Sequence, residues 1–166
     1  MTIFVEVSTV SKIDEWHYWY DDEYHLLSLE YVPRNFPQHT LQGTYSVLVK
    51  SDPSNVISYF EALPIAGPRY REIMKDIKVP EAELGRVVVV QDIDDHQKQT
   101  YFTDTGFTVF YTRLGDPIDT NQLRHVAIGK QVLLDITTEG MLAGVWMLDL
   151  PPEISAKYGT KVESLE

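Results

Sequence analysis

The residues best able to carry chemistry lie together in one short segment near the N-terminus. Aromatic, acidic and histidine side chains fill every position from Trp16 to His25. Histidine, glutamate and tyrosine can donate or accept protons without a cofactor, and tryptophan and tyrosine rings can line a pocket for an apolar ligand. The segment therefore indicates acid–base chemistry on a hydrophobic small molecule.

A helix is the element that we expect to position these side chains. Ser11 stands at an N-cap position before an amphipathic run that begins at Ile13 and should end near Leu29, before Pro33. At about 100° per residue, one face of this helix carries a histidine, a glutamate and two tyrosine hydroxyls among tryptophans. Buried carboxylates and imidazoles are costly unless they are paired, so we expect this face to line a cavity. Its aromatic and polar members are Trp16, His17, Tyr20, Glu23 and Tyr24, its apolar members are Ile13 and Leu27, and Trp19 and Leu26 flank it.

A purely structural role is the alternative interpretation of this segment. Glu23 would then bond to backbone or tyrosine hydroxyls, and the tryptophan rings would fill the core. The same helical phase places His25 on the solvent side, beside Asp21. No metal site is predicted, because His17 and His25 are separated by about 12 Å along a helix and cannot share one ion.

The hydrophobic patterns of residues 1–95 predict the order strand, helix, strand, strand, helix, strand. This order is typical of a ferredoxin-like α+β fold, in which an antiparallel sheet carries both helices on one face. The second and third strands should form a hairpin. The predicted strands are Thr2–Thr9, Thr40–Lys50, Asn55–Leu63 and Arg86–Asp92, and the second helix is Arg69–Ile77.

The C-terminal part is predicted to be a strand-rich extension. Residues 104–166 should form a half-unit that packs on the sheet of residues 1–103 and is not an independent domain. Strands are expected over Gly106–Leu114 and Met141–Leu150. Between them, the spacing of apolar residues in Thr120–Leu134 fits a helix, although Val132–Thr137 by itself looks extended.

Composition limits the classes of partner. The 166 residues contain 14 Lys and Arg against 25 Asp and Glu, a net charge of −11, which repels nucleic acid and anionic membrane surfaces. The absence of cysteine excludes disulfides and thiolate sites. No apolar run is long enough to span a bilayer, and the first residues lack the basic region of a secretory signal. We expect a cytoplasmic protein with no nucleic-acid or membrane partner and, because no nucleotide-binding motif occurs, with no cofactor.

The first helix and the connection after it resemble the EthD-like members of the dimeric α/β-barrel superfamily, over roughly residues 1–95. Trp19, Tyr20, Asp21 and Glu23 match the Trp-Tyr-Asp-x-Glu-His motif, Pro33 fits the connection, and Tyr45 matches a tyrosine of the following strand. The sequence departs from the motif where Tyr24 occupies the histidine position and His25 follows it. Thr44 also replaces the arginine before Tyr45.

The resemblance implies a homodimer with a ligand pocket between helices and sheet. It also implies a cofactor-independent lyase or isomerase, of the cyclase or decarboxylase type, acting on a polyketide-like secondary metabolite. Glu23 would polarise the substrate or abstract a proton, His17 or Tyr24 would supply one, and either Tyr24 or His25 would replace the family histidine. The substrate would contact Trp16, Trp19, Tyr20, His39, Gln42 and Tyr45. The alternatives are a non-catalytic ligand-binding or assembly module and a cofactor-free oxygenase of phenols.

Overall fold

The computed structural model of the chain describes residues 2–23, 26–31, 39–41, 47–51, 54–62, 71–73, 77–93 and 98–157. Strands account for most of these residues. In chain order they are β1 (Thr2–Thr9), β2 (Trp16–Asp21), β3 (Leu26–Tyr31), β4 (His39–Leu41), β5 (Val47–Ser51), β6 (Ile57–Ala62), β7 (Arg71–Ile73), β8 (Glu83–Ile93), β9 (Gln99–Thr103), β10 (Phe110–Leu114), β11 (Leu123–Gly129), β12 (Val132–Thr137) and β13 (Leu142–Met147). A 3-10 turn, Thr120–Gln122, precedes β11, and residues 152–157 are helical. No helix in the described ranges is long and apolar enough to cross a membrane.

The strands form two sheets that share one core. In the first sheet, hydrogen-bonded neighbours follow the order β1-β8-β11-β12-β13-β10-β9-β7, and in the second the order is β2-β3-β6-β5-β4. Among the described strands, β8 pairs with β11 and β9 with β7 in parallel, and the other neighbours are antiparallel. One apolar cluster draws residues from both sheets, including Phe60 of the second and Val126 and Leu134 of the first.

Simple alternation of apolar and polar residues predicted β1 correctly. Ile3 and Val5 are buried whereas Glu6 is exposed, and β-branched side chains suit this half-buried surface. The strands predicted at Thr2–Thr9 and Arg86–Asp92 are therefore confirmed, and they pair with each other as β1 and β8.

The predicted pairing of the second and third strands is confirmed for the part that the structure describes. Val47 lies opposite Ala62 and Val49 opposite Phe60 in the antiparallel β5–β6 ladder. Residues 42–46, the middle of the predicted Thr40–Lys50 strand, are outside the described ranges.

The predicted first helix is wrong, because residues 16–31 contain the β2–β3 hairpin. In β2 the side chains alternate with a period of two. Trp16, Tyr18 and Tyr20 pack towards the core, whereas His17 and Trp19 are exposed. Tryptophan and tyrosine favour strands, and pairing with β3 satisfies the backbone that a helix would have satisfied internally.

The acidic residues at the end of β2 mark a turn rather than one side of a helix. The N–H of Glu23 donates a hydrogen bond of 2.8 Å to Oδ1 of Asp21. An aspartate that bonds to the backbone two residues further on competes with helix formation and stabilises a turn.

The other two predicted helices are also strands in the parts that the structure describes. Arg71–Ile73, inside the predicted Arg69–Ile77 helix, is strand β7. The Thr120–Leu134 segment forms β11 and the start of β12, so the extended interpretation of Val132–Thr137 is confirmed. The turn between these strands begins at Gly129, where a Cβ atom would lie 2.2 Å from the Trp16 indole. Only a residue without a side chain fits this close approach.

The chain is therefore mostly β, and the predicted ferredoxin-like α+β fold is wrong. A second sheet, and not a pair of helices, packs on the core side of the first. The predicted division at residues 103 and 104 falls between β9 and β10, which are neighbours in one sheet. The division into 1–103 and 104–166 stays a prediction.

Candidate active site

Four neighbouring strands bring a histidine, an aspartate, a tryptophan and a tyrosine onto one face of the first sheet. His125 of β11 lies opposite Asp135 of β12, and Trp146 of β13 lies opposite Tyr111 of β10. Their sequence neighbours Phe110, Val126, Leu134 and Val145 are buried in the core. Because side chains alternate along a strand, the four functional groups lie together on the opposite face, and we call them the tetrad.

Asp135 is the centre of the tetrad. Its side chain is only 3% exposed, and Oδ1 lies 2.6 Å from Nδ1 of His125. The Tyr111 hydroxyl donates to Oδ2 at 3.0 Å, and Nε1 of Trp146 donates to both carboxylate oxygens at 3.2 Å. A buried carboxylate is costly unless donors surround it, and these three groups supply them.

This arrangement determines which nitrogen of His125 is available. When Nδ1 carries the proton that bonds to Asp135, Nε2 keeps a lone pair and can accept a proton. Nε2 has no hydrogen-bond partner among the described residues, and the side chain is 17% exposed. His125 therefore has the geometry of a general base oriented by a carboxylate.

Tyr111 is held in place by aromatic stacking, and its ring lies over Gly144, which has no side chain to obstruct it. Its ring stacks on Trp146 at a centroid distance of 4.3 Å and on Phe102 at 5.8 Å. A Cβ atom at Gly144 would lie 2.6 Å from the Tyr111 hydroxyl oxygen, so the ring can cross β13 towards Asp135 only because this residue is glycine. Burial, followed by the charge of Asp135 and the hydrogen bond to it, raises the pKa of Tyr111 well above its ordinary value of 10.0. Tyr111 therefore acts as a neutral donor and not as a base.

Alkaline pH is expected to destabilise the fold partly through Tyr111. Because its folded-state pKa is raised, its contribution is complete below pH 10 and is lost as the pH rises further. One retained proton corresponds to a slope of about 1.4 kcal/mol per pH unit. Tyr111→Phe should reduce the slope of unfolding free energy against pH by about half a proton at pH 10 and by nearly one proton above about pH 11, as measured by urea unfolding between about pH 10 and 12. An unchanged slope would contradict a buried, neutral Tyr111.

A cavity of about 210 Å³ lies over the tetrad. Residues that precede β8 and residues between β10 and β11 line it together with the strands. Its apolar lining comes from Pro80, Pro117, Ile118, Leu123 and Ala143. Its polar lining outside the tetrad comes from Lys78, Arg113, Asp116 and Thr120. The cavity thus combines a proton acceptor, two cations and an apolar wall.

Of the acid–base residues predicted from the N-terminal segment, the structure describes His17 and Glu23, and neither lines the cavity over the tetrad. Glu23 is exposed in the turn after β2, and His17 is exposed on the outer face of β2. The cavity-lining face was predicted from a helical period, and the strand period separates its members. Tyr24, His25, Gln42 and Tyr45 lie outside the described residues, and of His39 only the backbone, in β4, is described.

The predicted substrate-binding aromatics have three different environments. Trp16 is 4% exposed and stacks on Phe60 at 6.0 Å, whereas Trp19 is 52% exposed. Tyr20 is half-buried beneath the ammonium group of Lys157, which lies 5.4 Å from the ring centroid. Of the three, Trp16 borders a cavity of about 340 Å³, which Tyr31 also lines.

The tetrad was missed because its residues are spread over the sequence, but one signal was present. Asp135 is the only charged residue in the apolar run Val132–Ile136. His125 and Asp135 also lie at equal distances from Lys130 in the turn, so a hairpin centred there places them opposite each other. In the described part of the chain, no three His, Asp or Glu side chains gather in a group that could hold a metal ion.

Comparisons with known proteins add no family to this geometry. No protein-family model matches the sequence, and no curated protein matches it. The resemblance to EthD-like proteins stays a prediction, and the ferredoxin-like fold that it implied is not the fold of this chain.

Proposed function

We propose that the chain is a cofactor-independent acid–base enzyme of the lyase or isomerase type, with His125 as its proton-transfer group. One observation carries the proposal. A histidine that lines a cavity is held at 2.6 Å by a carboxylate that is itself buried and fixed by two further donors. This is the arrangement by which a carboxylate orients a general base and stabilises the imidazolium that forms.

The proposed reaction is a proton transfer through Nε2 of His125. Nε2 takes a proton from an acidic C–H or O–H group of the substrate, and Asp135 stabilises the resulting imidazolium. Returning that proton to another atom of the substrate is an isomerisation, whereas giving it to a departing group is an elimination. Tyr111 and Trp146 keep the Asp135 carboxylate in position throughout, because both donate hydrogen bonds to it.

The cavity favours a smaller substrate than the resemblance implied. Pockets that hold drug-sized ligands have volumes of about 300–1,000 Å³. The cavity over the tetrad has about 210 Å³, so a compact molecule fits it better than a polyketide-like metabolite. The proposed reaction therefore stays that of a lyase or isomerase, and the proposed substrate is a compact molecule instead of a polyketide-like metabolite.

Non-catalytic ligand binding is the second candidate function, and the cavity beside Trp16 favours it. This cavity measures about 340 Å³. The Trp16 ring borders this cavity, while its Nε1 packs against Gly129 without a hydrogen-bond partner among the described residues. A ligand at this site should quench tryptophan fluorescence without any product being formed.

Location and assembly belong to the proposal as well. We propose a cytoplasmic enzyme that acts on a small molecule and not on nucleic acid or membranes, in keeping with its net charge of −11. The homodimer that the resemblance implies rests on a barrel of sheets with helices outside, and the two packed sheets of this chain do not support that arrangement. Light scattering would determine the oligomeric state.

The test of the proposed function is a comparison of two histidine variants in a metabolite screen. The protein is incubated with an extract of small polar metabolites, and consumption is followed by mass spectrometry. His125→Asn keeps a donor near Asp135 but removes the base, so it should consume no metabolite that the unaltered protein consumes. His17→Asn, at an exposed position of β2, should retain full consumption. Equal consumption by the two variants, or none by the unaltered protein, would contradict the proposal.

A further inference from the structure

Two cations line the cavity over the tetrad, and neither forms an ion pair with a described carboxylate. Although the chain carries a net charge of −11, Lys78 and Arg113 both line this cavity beside His125. Neither Lys78 nor Arg113 forms an ion pair with a carboxylate among the described residues. In a strongly acidic protein, two cations at one cavity, neither paired with a described carboxylate, favour a negatively charged ligand group.

Arg113 is already oriented for such a contact. Its Nε donates to the carbonyl oxygen of Gly115 at 3.3 Å, and its guanidinium carbon lies 5.2 Å from the centroid of the Phe102 ring. These two contacts restrict the side chain while leaving its terminal amino groups without a hydrogen bond to a described residue. A planar guanidinium held in this way can form two parallel hydrogen bonds with a carboxylate.

The acidic groups of the same cavity narrow the class of anion. Asp135 is occupied by its three donors, and Asp116 is a second negative charge at the lining. A dianionic phosphate would meet the repulsion of both carboxylates, whereas a singly charged carboxylate meets about half of it. The apolar wall formed by Pro117, Ile118 and Leu123 can cover a short aliphatic or aromatic body.

We infer that the cavity binds a small monocarboxylic acid, with its carboxylate on Arg113 and Lys78 and its apolar body against Pro117, Ile118 and Leu123. The inference rests on the proposed function only in treating the bound acid as the substrate of His125. Binding itself depends on Arg113 and Lys78 and can be measured without turnover.

The experiment titrates isobutyrate and benzoate into the ¹⁵N-labelled protein and follows the indole N–H resonance of Trp146, which lies in the same cavity. Both acids should shift this resonance, and the neutral amides isobutyramide and benzamide should not. Arg113→Gln should raise the Kd of the acids at least about tenfold, and Lys78→Gln about two- to fivefold, because the lysine is exposed. Lys130→Gln is the matched control, since Lys130 is exposed in the turn between β11 and β12, lines neither cavity and should leave the Kd unchanged.

The outcomes separate this inference from the proposed function. Equal binding of acids and amides, an unchanged Kd in Arg113→Gln, or tighter binding of inorganic phosphate would overturn the carboxylate assignment. His125→Asn should bind the acids with a similar Kd. If the acids bind and the metabolite screen shows no turnover, the proposed function fails and the carboxylate-binding site stands. If metabolites are consumed and neither acid binds, the carboxylate-binding site fails and the proposed function stands.

Discussion

Asp135→Asn is expected to lower the turnover of the proposed enzyme by about 10²- to 10⁴-fold while the protein stays folded. An asparagine amide has one acceptor oxygen and a donor NH₂ group, whereas the carboxylate accepts on both oxygens. Trp146 can only donate, so the amide oxygen should turn towards its Nε1. The NH₂ group would then face Nδ1 of His125 and move the imidazole proton to Nε2, where the base must act.

Two readouts test this prediction. The ¹⁵N shifts of the His125 ring should show the proton on Nδ1 in the unaltered protein and on Nε2 in Asp135→Asn. Asp92→Asn, an exposed carboxylate at the end of β8, is the matched control and should change neither the tautomer nor the turnover. If the Asp135→Asn variant kept full turnover, Asp135 would have no role in the mechanism, whichever nitrogen of His125 carried the proton.

Trp16→Ala is expected to cost about 3–5 kcal/mol of unfolding free energy, the range for removing a large buried aromatic side chain. Trp16 is 4% exposed and contacts Phe60 and Tyr31 with its ring, and the turn at Gly129 packs directly against it. The cavity left by alanine would lie between the two sheets, where neither can close over it without breaking strand pairs.

Trp19→Ala is the matched control for this prediction. Trp19 is 52% exposed, so its loss should cost about half as much unfolding free energy as the loss of Trp16, or less. Denaturant unfolding of both variants gives the comparison. On a helix the two residues would lie on or beside one buried face, and similar costs for both would contradict the strand.

The strands with simple alternation could be predicted from the sequence, and the aromatic and polar segments could not. Thr2–Thr9 was predicted with the bounds of β1, in which five of the eight residues are β-branched. For Val132–Thr137 the sequence allowed both a helical and an extended interpretation, and the structure has the strand β12. The segment from Trp16 to Asp21 fits a period of 3.6 nearly as well as a period of two. The choice between them is made by pairing with β3, a contact that the local sequence does not contain.

The candidate site was harder to predict than the fold for a related reason. The predicted site was the Trp16–His25 segment, in which side chains able to transfer protons are close in sequence. In a sheet, the residues that meet come from different strands, and their proximity depends on register. Tyr111 and Trp146 meet only because β10 and β13 are neighbours, an order that no local pattern shows. Asp135 could be recognised in the sequence as a charged residue within an apolar strand, but no local pattern identified His125, Tyr111 and Trp146 as its partners.

The hairpin that carries His125 and Asp135 has a consequence for how the protein reaches its native state. The two residues are ten positions apart, so they meet when a short loop closes. The strands β1 and β8 pair residues that are separated by about half of the chain, such as Thr9 and Gly85. Short loops cost less entropy to close and form faster than long ones. The pair at the centre of the candidate site can therefore assemble while the chain is still largely open, before the N-terminal strand has docked.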